Sequence, residues 1–201
     1  MKCAYHTAAS QECSRLWRDH SRRPRRMILA VAGFLFAVSS VRAEQKPNEY
    51  QVEAAYLYNF GRFVEWPTKL AATKSDAFTI CVLGEDPFGR VLDATFAGAT
   101  IENKSVVARR ISSPDESAEC QILFFSSSEA SRLSKIIESL NKTAVLTVSD
   151  MPQFSKRGGM IQFVLEGNRV RFEVNLVATQ KAGLTLSSEL LKVATAVRRN
   201  P

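Results

Sequence analysis

The chain has 201 residues, 45% of them apolar, with 27 Lys and Arg against 20 Asp and Glu for a formal charge of +7. That excess is local: residues 1–43 carry 8 basic and 2 acidic side chains, whereas residues 44–201 carry 19 and 18. So nearly neutral a body argues against a nucleic-acid partner. Because His6 and His20 also fall in the first 43 residues, the body lacks the commonest general base and metal ligand as well.

The first segment reads as an address. Arg22, Arg23, Arg25 and Arg26 precede an uncharged apolar run, Met27 to Val38, and Val41-x-Ala43 follows with the small-residue spacing of a cleavage site. The run is shorter than the ~20 residues a spanning helix needs, so a signal peptide is expected over 1–43, with a retained membrane anchor as the alternative. The mature chain is then expected to begin at Glu44, outside the inner membrane and without a stable membrane anchor. Residues 44–201 are expected to form a single domain.

Along that domain, Asn48 to Val64 has helical spacing, with Val52, Tyr56, Phe60 and Phe63 on one face and Pro67 as the stop. Lys69 to Asp76 is a polar loop. Phe78–Leu83 is a continuous apolar run, as in a strand buried on both faces. Gly84 to Pro87 turns the chain into a helix through about Thr95. Ser105–Ile111 is a second strand, Pro114 to Glu119 a loop, and Cys120–Ser126 a third strand. Ser128–Leu140 reads as a helix with Leu133, Ile136, Ile137 and Leu140 as its buried stripe, and Ala144–Val148 as a fourth strand.

After the loop Met151–Gly159, Met160–Leu165 and Arg169–Val174 flank Gly167-Asn168 as a hairpin. A last helix is expected over about Leu186 to Arg198, with Leu190, Leu191, Ala194 and Val197 inward. Strands alternating with helices argue a covered parallel sheet. The expected fold is a three-layer α/β/α sandwich with a mostly parallel sheet of five or six strands and a C-terminal antiparallel hairpin.

The chemistry-bearing residues give no catalytic constellation. Ile80–Gly89 places a turn between strand and helix, but its glycines fit neither phosphate-binding fingerprint, and Glu85 and Asp86 would repel phosphate. Ser126-x-x-Glu129 matches a capping box. There is no G-x-S-x-G elbow, and without histidine no ordinary triad assembles. Glu65, Glu85, Asp86, Asp93, Asp150 and Glu173 are scattered, and nothing in the sequence pairs them. No metal site and no cofactor are expected.

Cys81 and Cys120 are the only cysteines of the body. An oxidising compartment favours their pairing as a disulfide; the alternative is two buried thiols acting as small apolar residues. Arg62, Glu65 and Trp66 cluster where the first helix ends, either as a recognition surface or with the Trp plugging the edge of the core. Arg169, Arg171, Glu173 and Asn175 share one face of the last strand. That face either meets a partner or protects a solvent-exposed edge.

The ordered strings YQVEAAYLYNFGRFVEWP, ICVLGEDPFG, CQILFFSSSE, VLTVSD, GGMIQF and VRFEVNL, spanning about Asn48 to Val197, resemble the YfiR family, also called YfiR/HmsC-like. The resemblance implies a non-enzymatic periplasmic repressor. Such a protein binds the periplasmic sensor domain of an inner-membrane diguanylate cyclase, holds it inactive, lowers cyclic di-GMP and restrains biofilm formation. It also implies a homodimer. Some members carry two cysteine pairs, one of them redox-responsive; Cys81 and Cys120 match one pair, and the other is missing here.

The alternative reading is a periplasmic small-ligand binding protein. It would use the carboxyl ends of the parallel strands, near Gly84–Asp86, Ser126–Ser128 and Ser149–Asp150. On either reading, Arg62, Glu65, Trp66, Arg171, Glu173 and Asn175 are the candidate contact residues.

Overall fold

The structure is a computed structural model that describes residues 48–67, 76–140 and 143–200. The expected signal peptide and most of the expected polar loop after Lys69 lie outside the described residues. Helix α1 (Glu49–Phe63) opens at Asn48, where Gln51 Oε1 accepts the Asn48 N–H at 2.9 Å as half of a capping box. Its buried stripe is Glu53, Ala54, Leu57, Phe60 and Gly61. That stripe is rotated from the expected one: Val52 and Tyr56 flank it and Phe63 is exposed. Gly61 is where α1 comes closest to the sheet, since a Cβ there would lie 2.5 Å from Ile101 Cδ1 and 3.0 Å from the Phe78 ring.

The short strand β1 (Val64–Glu65) leads out of α1 and pairs antiparallel with β9 (Thr185–Leu186). The main sheet has β2 (Ala77–Leu83), β3 (Thr100–Ile101), β4 (Lys104–Ile111), β5 (Ile122–Phe125), β6 (Leu146–Ser149), β7 (Ile161–Glu166), β8 (Arg169–Asn175) and β10 (Ala196–Arg198). Their order is β10-β8-β7-β6-β5-β2-β4-β3, parallel except at β7/β8 and β3/β4. All six expected strands are present. Short edge strands raise the count to eight, because β4 and β8 each leave backbone groups that the next segment can satisfy. Both antiparallel junctions are two-residue turns with positive φ at both positions, Gly167-Asn168 as expected and Glu102-Asn103 in addition.

Alternation along the strands divides the core. Ile80, Val82, Ile122, Phe124, Leu146 and Val148 face α1, α2 (Arg90–Phe96) and α5 (Ser188–Val193). Cys81, Leu83, Leu123 and Phe125 face α3 (Leu133–Ser139). These are the three layers. On the α1 side, Phe60 meets Phe163 and Phe172 with ring centroids 5.8 and 5.1 Å apart.

Three expectations shift. Ser127–Glu129 forms a 3₁₀ turn and α3 starts only at Leu133. The Ser126 hydroxyl accepts the Ser128 N–H, but Glu129 is buried and pairs with Arg132 instead of completing a capping box. A further helix, α4 (Leu176–Lys181), is capped by Asn175 Oδ1, which accepts the Ala178 N–H at 3.1 Å. The last helix stops at Val193, and residues 196–198 run parallel to β8 as an edge strand, anchored where the Thr195 N–H reaches Phe172 O at 2.9 Å.

Candidate functional site

Cys81 and Cys120 are joined by a disulfide with Cα atoms 5.9 Å apart. Cys81 lies in β2; Cys120 is not in a strand but ends the 3₁₀ helix Pro114–Glu119, two residues before β5. Both are buried, at 0% and 3% exposure, in the core beneath α3. The bond is doubled by polar links at the same junction: the Thr79 N–H donates to Gln121 Oε1 at 2.7 Å, and the Gln121 N–H to Thr79 O at 2.9 Å. It is therefore a structural clamp between β2 and β5.

The six contact candidates do not converge. Arg62 is exposed, with its guanidinium 6.0 Å from the Tyr58 ring centroid. Glu65 is exposed on β1. Trp66 is half-buried, packs edge-to-face on Phe78 at 5.4 Å, and its buried Nε1 has no acceptor. These three sit at the amino-terminal end of the sheet. Arg171, Glu173 and Asn175 lie on the face of β8 opposite Phe172, and Phe172 packs under α1. Arg171 is exposed, and Glu173 Oε2 accepts the Ser155 hydroxyl at 3.2 Å. Asn175 is 7% exposed and spent internally, its Nδ2 donating to Ser155 O at 2.8 Å while its Oδ1 caps α4.

The carboxyl ends of the strands are largely filled by their own turns. The Glu85 N–H donates to Ser128 Oγ at 3.0 Å, and Ser149 Oγ donates to Phe125 O at 2.8 Å while accepting the Met151 N–H. Asp86 accepts the Phe88 N–H and Arg110 Nε, both at 2.8 Å. Arg110 also grips Asp93 through two nitrogens, which holds that carboxyl below its ordinary range.

One rim residue behaves differently. Asp150, just past β6, lines a cavity of about 160 Å³ together with Tyr50 and Glu53 of α1. Glu53 is only 5% exposed, and its Oε2 has no hydrogen-bond partner; neither has Asp150 Oδ1. Burial, then the Asp150 and Glu49 charges, push Glu53 up to about 8. Burial also raises Asp150, against its hydrogen bond with Tyr50. Sequence reasoning found Asp150 but missed Glu53. The available signal was its place in the 53/57/60 stripe, where a carboxylate stands among apolar residues. Among the described residues, no group of three or more His, Cys, Asp or Glu is placed to hold a metal ion, and no helix is long and apolar enough to cross a membrane.

The described residues form a disulfide-clamped, mostly parallel α/β sandwich. Residues 50–195 match the YfiR/HmsC-like family, and the chain belongs to that family. Two solved structures are similar at low identity. A conserved domain protein from Vibrio cholerae O1 biovar El Tor is 12% identical, with a TM-score of 0.46 over 60% of this chain and 54% of that one. An ABC domain in complex with L-Trp from Streptococcus pneumoniae is 13% identical, with a TM-score of 0.49 over 75% of this chain and 60% of that one. The chain thus spans little more than half of either.

Proposed function

We propose that the mature protein is a periplasmic regulator that binds the periplasmic sensor domain of an inner-membrane diguanylate cyclase and holds it inactive, lowering cyclic di-GMP. Membership of the YfiR/HmsC-like family is the observation that carries this reading, and it supports a regulatory role over a catalytic one. Residues 1–43 serve as the signal peptide, and the Cys81–Cys120 disulfide supports an oxidising compartment. Repression works by differential affinity: the protein shifts the cyclase toward whichever state it binds better.

The surface offers material for such a contact. Phe63 and Val193 are 37% and 60% exposed and border an apolar groove of about 300 Å³ between α1 and α5, with Arg62 next to Phe63 in sequence. Exposed apolar groups beside an Arg are what an interface centre uses. The contact surface includes Arg62 and Trp66 at the end of α1, with Arg171 and Glu173 as a separate second patch.

The test is calorimetric titration of the mature protein into the purified sensor domain of a candidate membrane diguanylate cyclase from the same organism, with cyclic di-GMP measured in a deletion strain. Binding together with raised cyclic di-GMP on deletion is expected. Absence of binding with unchanged cyclic di-GMP would remove the proposal.

A further inference from the structure

The cavity between α1 and the end of β6 has an unusual chemical balance. Glu49, Glu53 and Asp150 bring three carboxyl groups to it, and no basic side chain lines it. Glu53 Oε2 and Asp150 Oδ1 are both buried and both lack a hydrogen-bond partner. Orphaned buried polar oxygens are rare in native folds because each forfeits its solvation. Here two belong to residues that line one cavity, and Glu53 is 95% buried by its 5% exposure. Phe163 and Val170 add apolar carbon to the lining.

That pattern selects its ligand. An anion is repelled, and a neutral apolar molecule would leave both oxygens unsatisfied. A divalent cation such as calcium wants six or more oxygen ligands, and among the described residues no three His, Cys, Asp or Glu side chains are placed to hold a metal ion. An ammonium group has three N–H donors and one positive charge, and a short carbon chain would meet the apolar lining. We propose that this cavity binds a small primary amine with a short apolar chain, its ammonium group held by Glu53 Oε2 and Asp150 Oδ1 and its carbon chain against Phe163 and Val170.

The protonation balance adds a signature. With Glu53 titrating at about 8, an amine bound at neutral pH displaces the Glu53 proton. The other titratable groups facing it are Glu49, Tyr50 and Asp150. From β7 and β8 come only Phe163, Val164, Leu165 and Val170. Affinity therefore rises with pH until Glu53 is ionised, while an alkylamine, titrating near the lysine value of about 10.4, stays charged.

The experiment titrates the mature protein with n-butylammonium and, separately, with its neutral analogue n-butanol. Butylammonium is expected to bind at least about tenfold more tightly than butanol, the scale of one charge-assisted hydrogen bond, and more tightly at pH 8.5 than at pH 6.5. Glu53→Gln and Asp150→Asn should each weaken it by about tenfold or more. Equal affinity for amine and alcohol in the unaltered protein, or undiminished amine binding by a folded Glu53→Gln protein, would overturn the proposal. Tight binding of Nα-acetyl-lysine methylamide without binding of butylammonium would also overturn it, and would assign the cavity to a partner's lysine. The outcome is independent of whether a cyclase is repressed, since the titration contains no partner.

Discussion

Glu53 and Asp150 come from segments almost a hundred positions apart, yet line one cavity with a buried, partnerless carboxylate oxygen each. The pair has a consequence for stability. Folded, Glu53 keeps its proton up to about pH 8; unfolded, it releases it near 4.5. Between those values the native state binds more protons than the unfolded one, so stability falls as pH rises and levels off above about 8. The loss is about 2–4 kcal/mol across that window, below the ideal limit of about 1.4 kcal/mol per pH unit. Glu53→Gln should raise the denaturation midpoint at pH 8.5 and change it little at pH 5. Urea titrations at the two pH values check this; an equal effect at both would contradict it.

The Cys81–Cys120 bond closes a loop with a sequence separation of 39, worth about 3–4 kcal/mol in the chain-entropy model. The double Cys→Ser variant should melt well below the parent. Mass spectrometry of protein purified without reductant should show two hydrogens fewer than the dithiol. Free, alkylatable thiols in periplasmic material would refute the prediction.

Arg62 separates the contact from the fold better than Trp66 does. Its guanidinium is exposed and its one close ring neighbour is Tyr58, so Arg62→Ala should leave stability within about 0.5 kcal/mol. If Arg62 sits at the interface centre, the same change should weaken sensor-domain binding by about thirtyfold. Trp66→Ala also loses the Phe78 contact and should cost about 1–3 kcal/mol of stability. Trp66→Phe keeps an aromatic ring there and removes the unpaired N–H, so its melting should be near normal. Full binding by Arg62→Ala and Trp66→Phe alike would place the contact elsewhere.

Two adjacent arginines on β4 should behave differently. Arg110 ties β4 to Asp86, Asp93 and the Gly89 carbonyl, so Arg110→Ala should cost about 1–2 kcal/mol, and Arg110→Lys should restore little because lysine lacks the planar fork. Arg109 pairs with exposed Glu119 at 2.8 Å, and Arg109→Ala should cost less than about 0.5 kcal/mol. Thermal melts of the three variants decide it.

Export can be read at the N-terminus. Sequencing of the periplasmic protein should begin at Glu44. Intact residues 27–43 would instead identify a retained anchor.

What the amino-acid order determined here is what local chemistry controls. Apolar runs such as Phe78–Leu83 announce strands covered on both faces, Gly167-Asn168 announces a hairpin, and the ordered motifs announce the family. The tertiary structure decided whatever depends on edges and distant neighbours. Residues 196–198 became a strand because β8 offered an unpaired edge, and a backbone edge is satisfied by whichever chain reaches it. Asn175 was absorbed as a helix cap, although its alternation matched that of exposed Arg171. The juxtaposition of Glu53 and Asp150 was set by packing α1 across the end of β6. No local pattern encodes that proximity, because the force that creates it is burial of Ala54, Leu57 and Phe60, not any attraction between the two acids.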